Sequence, residues 1–405
     1  MNVVDVVIVG AGQAGLSISH ELTRRSLAHV VIDRARIGEA WRRRWDRFCL
    51  VSPNWTVRLA GQDYDGPHPD GFMLRDEVVA YLERYAASFG APVRDNLPVV
   101  SVERSGASFI VSTTDGVYRS RALVVASGAY QRVHWPDAVA SLPAAIHRMN
   151  LHEYSSPAAV PPGDVLILGS GQSGCQIAEE LHAAGRRVVL ACGRTPYSPR
   201  QVAGRDCFWW LLESGFLDAG LEGLPHDARL LSTPVVSGHD GGYDLDLRIL
   251  AAQGVTLVGR FVGYRDGKAH FADDLGQSVA WGDARFGQFV ENVLKPTAAR
   301  HGIALPSIGP PGPIPSAGPG ALDLHGFGTV LVTLGFRPEY SGWLPWPEAF
   351  DAQGFPHQKD GASTVVDGLH FIGMPLLRNR KSPILLGAGE DAAIVASQVA
   401  SALRA

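Results

Sequence analysis

The stretch Val6-Val7-Ile8-Val9-Gly10-Ala11-Gly12-Gln13-Ala14-Gly15-Leu16-Ser17-Ile18-Ser19-His20-Glu21-Leu22 decides the fold of this chain. A short apolar run, the signature of a buried strand, meets Gly-x-Gly-x-x-Gly, and a helical pattern follows at once. Gly10 permits the tight turn, Gly12 lets a pyrophosphate approach the backbone, and Gly15 lets helix and strand pack closely. The helix N-terminus then offers unpaired N–H groups and a positive dipole end to phosphate. One such motif is weak evidence, but this one recurs. Val165-Leu166-Ile167-Leu168 leads into Gly169-Ser170-Gly171-Gln172-Ser173-Gly174, followed by Cys175-Gln176-Ile177-Ala178-Glu179-Glu180-Leu181. Two such units predict two bound dinucleotides and electron transfer between them.

The second strands of the two units make them unequal. The first, His29-Val30-Val31-Ile32, ends in Asp33, a carboxylate suited to a ribose with free hydroxyls. The other, Arg187-Val188-Val189-Leu190-Ala191, reaches Cys192 at the matching offset, with Arg194 and Thr195 just beyond. No carboxylate stands there to repel a 2′-phosphate, and a guanidinium is available to pair with one. The first site is therefore read as FAD, held by Gly10, Gly12, Gln13, Ala14, Gly15, Asp33 and its neighbour Arg34. The second is read as NADPH, held by Gly169, Ser170, Gly171, Gln172, Ser173, Gly174, Arg194 and Thr195, with Arg200 and Arg205 as supplements from the same loop. That Arg194 is simply a solvated loop arginine stays open.

At 405 residues the chain has room for two or three domains, each with a substantial core. A net charge of −4, with no basic stripe, argues against nucleic acid or an anionic membrane surface as partner. Cys49, Cys175, Cys192 and Cys207 form neither C-x-x-C nor a metal-ligand spacing, which predicts a reducing compartment and no disulfide shuttle. Val3-Val4-Asp5 runs straight into the first strand, so no leader is expected, and no apolar run is long enough to span a bilayer. A cytoplasmic enzyme is the simplest expectation, with a homodimer left open.

The first α/β unit runs to about Arg36. Trp41 and Trp45 are four apart, so a helical turn there would set them on one face. An amphipathic helix is predicted from Arg75 to Phe89. Two short strands, Pro98–Val102 and Ser108–Thr113, with a turn at Asp115-Gly116, read as an antiparallel excursion. Ala122–Gly128 gives a buried strand, Val160–Gly163 a linker, and the Pro- and Gly-rich Pro306–Gly320 an irregular crossing. Strands at Thr329–Thr333 and Leu369–Ile372 and a closing helix from Glu390 to Leu403 complete the chain. The expected fold is α/β, with two Rossmann-like dinucleotide-binding domains and the NADPH domain inserted into a discontinuous FAD domain. The expected boundaries are 1–157, 158–322 and 323–405.

Together these elements resemble the single-component (class B) flavoprotein monooxygenases, the group holding flavin-containing monooxygenases and Baeyer–Villiger enzymes. The resemblance covers nearly the whole chain. It rests on the two glycine motifs in this order, on Gly38-Glu39-Ala40-Trp41-Arg42, and on two strand ends, Val125-Ala126-Ser127-Gly128-Ala129-Tyr130 and Val332-Thr333-Leu334-Gly335-Phe336-Arg337-Pro338. The Gly-Ala-Gly-Glu-Asp entry to the last helix also matches. By that resemblance Trp41, Arg43, Val100, Ala126, Ser127, Gly128 and Gly389 join the FAD site. The family fingerprint Phe-x-Gly-x-x-x-His-x-x-x-Tyr/Trp is broken: with Tyr154 at its end, the earlier positions are Ala144, Ile146 and Asn150. This argues against Baeyer–Villiger activity.

The resemblance implies that NADPH reduces the flavin, which then forms a C4a-peroxyflavin with O₂ and oxygenates a small organic substrate at nitrogen, sulfur or an activated carbon. Asn54 is the candidate hydrogen-bonding residue near C4a; equally, it is a turn residue satisfying its own backbone. The alternative activity is an NADPH-dependent flavin reductase or oxidase passing electrons to a partner or to oxygen. No Ser/His/Asp set, paired-carboxylate motif or metal cluster is found, and this chemistry needs none.

Overall fold

The computed structural model describes residues 1–225, 228–230, 235–309, 311–314 and 317–404. Two parallel-stranded sheets, each with a glycine loop at one strand end, organise an α/β chain with two dinucleotide-binding domains. The first sheet runs Gln358–Lys359, Ala362–Ser363, Leu369–Phe371, Ala122–Val125, Val6–Val9, His29–Ile32, Val93–Arg94. From Leu369–Phe371 onward its strands are parallel. Val6–Val9 lies between His29–Ile32 and Ala122–Val125, so the chain diverges to both sides of it. That divergence leaves a crevice at the strand C-termini, where the first glycine loop lies.

Burial explains the sequence pattern. Val7, Ile8, Val31, Leu123, Val124 and Val125 have no exposed surface, as strands covered on both faces require. The helices Gln13–Arg24 and Ala388–Arg404 pack together. The helix Arg75–Ser88 buries Val78, Tyr81, Leu82 and Tyr85 in a neighbouring cluster. The antiparallel excursion has three strands, Val99–Ser105, Ser108–Thr113 and Gly116–Ser120, extended by a parallel edge strand at Asn2–Val3. The turn at Asp115-Gly116 lies where expected, and the strand following it is additional to the two predicted.

The second sheet is wholly parallel: His147–Asn150, Phe327–Val332, Asp164–Leu168, Val188–Ala191, Thr256–Val258. The chain leaves the first sheet after Val125 and rejoins it at Gln358, so the second unit is an insertion. Its sheet takes His147–Asn150 and Phe327–Val332 from outside 158–322. The two crossing segments pair with each other, Arg132–Val133 antiparallel to Phe336–Arg337. Pro306–Gly320 holds no helix or strand among its described residues.

The two tryptophans do not share a helical face. The helix is only Glu39–Arg42, and Trp45 lies beyond its end. Trp45 is 2% exposed, packed in the core of the inserted unit with its ring edge to Phe48 and Tyr154. Trp41 stays half-buried beside the first glycine loop. The chain bends between them because each ring is buried by a different unit.

Candidate functional site

The first glycine loop has the shape that the motif demands. Gly10 has φ +115°, and a Cβ there would lie 2.6 Å from the Ala126 carbonyl oxygen. A Cβ on Gly15 would lie 1.8 Å from the Gly10 oxygen, which forces glycine for helix–strand contact. A Cβ on Gly12 would meet nothing within 4 Å, so the loop is open on that side. Gly12 caps Gln13–Arg24 with no side chain filling the helix end, and Gln13, Ala14 and Gly15 form the first turn. This cradle fits a pyrophosphate. Asp33 follows its strand directly, and its carboxylate accepts the Ala11 and Ala35 N–H groups at 2.6 and 2.9 Å. Burial pushes its carboxyl above the ordinary range, although both N–H groups and Arg34 favour the charged form.

Around this loop other segments converge. The Trp41 indole donates to Gln13 Oε1 at 3.0 Å, and Gln13 Nε2 points to the Pro383 carbonyl at 3.5 Å. Ala126, Ser127 and Gly128 follow the neighbouring strand, and the Gly128 carbonyl accepts Tyr340 Oη at 2.9 Å and Gln131 Nε2 at 2.8 Å. Gly389 opens the last helix so close to Leu59 that a Cβ would sit 2.9 Å from its carbonyl carbon. Arg34 and Arg43 are exposed, Arg43 pairing with Glu39 at 3.6 Å, and Val100 is exposed on an outer strand of the small sheet.

Asn54 is buried, and its amide is engaged. Nδ2 donates to the His68 carbonyl at 2.9 Å, and Oδ1 accepts the Met73 N–H at 2.7 Å. Its own N–H donates to the Gly71 carbonyl at 2.8 Å. The residue thus clamps the loop 68–73.

The second loop repeats the first. Gly169 has φ +111°, and a Cβ on Gly174 would lie 1.9 Å from the Gly169 oxygen. Gly171 caps the helix Gln172–Ala183, with Ser173 partly buried in its first turn. Ser170 and Thr195, both buried, join hydroxyls at 2.7 Å, and Ser170 Oγ also accepts the Gly193 N–H. Gln172 is tied to Val236 through both ends of its amide. Arg194 is exposed, with no hydrogen bond or ion pair among the described residues.

Arg200 has a different setting from Arg194. It is 2% exposed, lies 2.6 Å from Asp206, donates to the Val51 carbonyl at 2.6 Å, and covers the Phe72 ring. Its guanidinium therefore joins the inserted unit to the first.

Sequence reasoning missed a second junction. Lys381, nearly buried, pairs with Glu390 at 2.8 Å and with Asp218 of the inserted unit at 2.6 Å, while Arg378 pairs with buried Asp391 at 2.9 Å. The acids at the last helix start were visible in sequence. Their partners, from a loop and a distant unit, carried no local signal.

The family model described as "Pyridine nucleotide-disulphide oxidoreductase" matches residues 7–204. An uncharacterized CzcO-like oxidoreductase of Geobacillus kaustophilus (strain HTA426) is 29% identical over 393 residues, covering 96% of this chain and 97% of that protein. Indole-3-pyruvate monooxygenase YUCCA4 of Oryza sativa subsp. japonica is 32% identical over 236 residues, covering 52% of this chain and 54% of that one. A flavin-containing monooxygenase from Stenotrophomonas maltophilia has the same fold, with TM-score 0.70 and 21% identity over 99% of both chains. The chain is thus similar along its whole length to an oxidoreductase, over about half of it to a monooxygenase, and it shares the fold of a flavin-containing monooxygenase. Among the described residues no helix is long and apolar enough to cross a membrane, and no three His, Cys, Asp or Glu side chains could hold a metal ion.

Proposed function

We propose that this protein is an NADPH-dependent FAD monooxygenase acting on a small organic substrate with O₂. The observation that carries this reading is the inequality of the two glycine loops. Asp33, fixed by two backbone N–H groups, stands beside the first, whereas unpartnered Arg194 stands beside the second. A carboxylate would accept ribose hydroxyls, and a free guanidinium would pair with a 2′-phosphate. When bound, the flavin would accept the nicotinamide's reducing equivalents and activate oxygen.

The chain's own part is binding, orientation and exclusion of water. Gly10, Gly12 and Gly15 would give the FAD pyrophosphate access to the helix N-terminus. Gly169 and Gly174 would do the same for NADPH. Trp41, Gln13 and the Pro383 carbonyl tie three chain segments beside the first loop. Asn54 sets the shape of the 68–73 loop, and through that loop any polar group it offers the site.

The purified yellow protein should be reduced anaerobically by NADPH much faster than by NADH. It should then be turned over under ¹⁸O₂ with a panel of thioethers, tertiary amines and 2-oxo acids. Label in an oxidised product, with NADPH consumed in proportion, is the expected result. Quantitative hydrogen peroxide with every member of the panel favours the reductase or oxidase reading.

A further inference from the structure

A cleft of about 440 Å³ opens on the flank of the helix Gln172–Ala183, where the inserted unit meets the first part of the chain. It lies well down that helix from the second glycine loop: Glu180 is about 12 Å along the axis from Gln172. Its polar wall holds Glu179 and Glu180, and no ion pair engages either carboxylate among the described residues. Glu179 accepts the Tyr243 hydroxyl at 2.8 Å, whereas Glu180 Oε1 is buried with no hydrogen-bond partner.

Other groups here are unmet as well. Gln176, only 6% exposed, leaves Nε2 buried without a partner, and His182 leaves Nδ1 in the same condition. Beneath them the Tyr154 hydroxyl faces Glu180 and is the nearest protein group to its carboxylate's demand, which leaves the Gln176 and His182 nitrogens as the groups with no protein partner. Buried polar groups are ordinarily paired, so several such groups around one cleft indicate an absent partner. The Gln176 amide can present either its oxygen or its nitrogen by rotation. Trp45, Pro157 and Ala183–Ala184 form the apolar part of the wall, and His239, Tyr243 and Gln253 complete it. Two carboxylates face a single rim guanidinium, Arg47, so the cleft favours positive charge.

We infer that this cleft binds a small organic ammonium ion, its N–H groups on Glu180, Glu179 and Gln176 and its apolar body against Pro157 and Ala183. A bare metal ion is disfavoured because no three ligating side chains converge among the described residues. Trp45 and Arg47 belong to the first part of the chain and the helix to the inserted unit, so an occupant would bridge the two. The site is separate from both dinucleotide loops and does not depend on the proposed reaction.

The test is calorimetric titration of the flavin-loaded protein with benzylammonium, and with benzyl alcohol as its neutral counterpart. Saturable binding of one equivalent is expected, unaffected by saturating NADP⁺, with benzyl alcohol at least ~10-fold weaker. Glu180→Gln should weaken benzylammonium about 10-fold, as loss of one charge-assisted hydrogen bond requires, with flavin content and melting unchanged. Gln176→Leu, which removes the unmet amide, should weaken it also without lowering Tm. Absence of saturable binding, equal binding of the alcohol, displacement by NADP⁺, or wild-type affinity in Glu180→Gln would each overturn the inference.

Discussion

The Trp41 indole N–H donates to Gln13 Oε1 at 3.0 Å, while Gln13 Nε2 points to the Pro383 carbonyl. One side chain in the glycine loop thus ties the 38–42 turn to the segment entering the last helix. Gln13→Leu should fold normally and release its flavin about tenfold more readily, because two hydrogen bonds are lost from the first turn. Flavin fluorescence on dilution measures this directly.

The glycines of one motif should fail in different ways. Gly12→Ala adds a methyl into open space, so the protein should stay folded but retain little flavin. Gly15→Ala drives a methyl to within 1.8 Å of the Gly10 oxygen, so it should lower stability or abolish soluble expression. Comparing flavin content with thermal melting separates the two effects.

The two arginines after the second nucleotide strand should also separate. Arg194→Ala should raise the NADPH KM about tenfold or more and leave the NADH KM unchanged, since it removes only a charge-assisted contact to a 2′-phosphate. Arg200→Met should cost about 3 kcal/mol or more in denaturant unfolding, because Asp206 loses its buried counter-ion and the Val51 carbonyl its donor. Its NADPH-over-NADH preference should persist.

His370 lies in the strand Leu369–Phe371 with both ring nitrogens buried and unpartnered, and burial pulls its pKa down to about 4. The unfolded chain takes up that proton near pH 6.5, and the folded chain not until about pH 4. Stability is therefore lost as pH falls through that window, by about 3 kcal/mol at its acid end. His370→Leu should flatten this part of the pH–stability curve in chemical denaturation.

All four cysteines are free and buried. Burial pushes the Cys49 thiol up to about 11 and those of Cys192 and Cys207 to about 12, and it raises Cys175 as well. With every thiol buried and held in its neutral form at neutral pH, the native protein should not react rapidly with Ellman's reagent. All four thiols should appear in guanidinium. A fast native thiol would reopen a dithiol role.

Where side chains and backbone act locally, the sequence was readable. Val6–Gly15 and Val165–Gly174 announced strand, turn and helix because each glycine answers a contact within a few residues or with the adjoining strand. Arg75–Ser88 was legible from its apolar period. Trp45 was misplaced beside Trp41 because helical spacing cannot reveal which of two cores will bury a ring. Gly116–Ser120 was missed because its short alternation follows a turn that could equally have ended the excursion. Arg200 read as a nucleotide ligand because a loop arginine looks alike whether free or buried; its pairing with Asp206 and Val51 exists only in three dimensions.

By itself, then, the sequence determined the two α/β nucleotide units, their order and their difference at Asp33 and Arg194, since these depend on short-range sterics and charge type. Only the tertiary structure decided how the units meet: through Arg200 on Val51, through Lys381 between Asp218 and Glu390, and around the cleft beside Glu180. Those contacts join residues distant in the chain. Their energies come from burial and pairing, which no local pattern encodes.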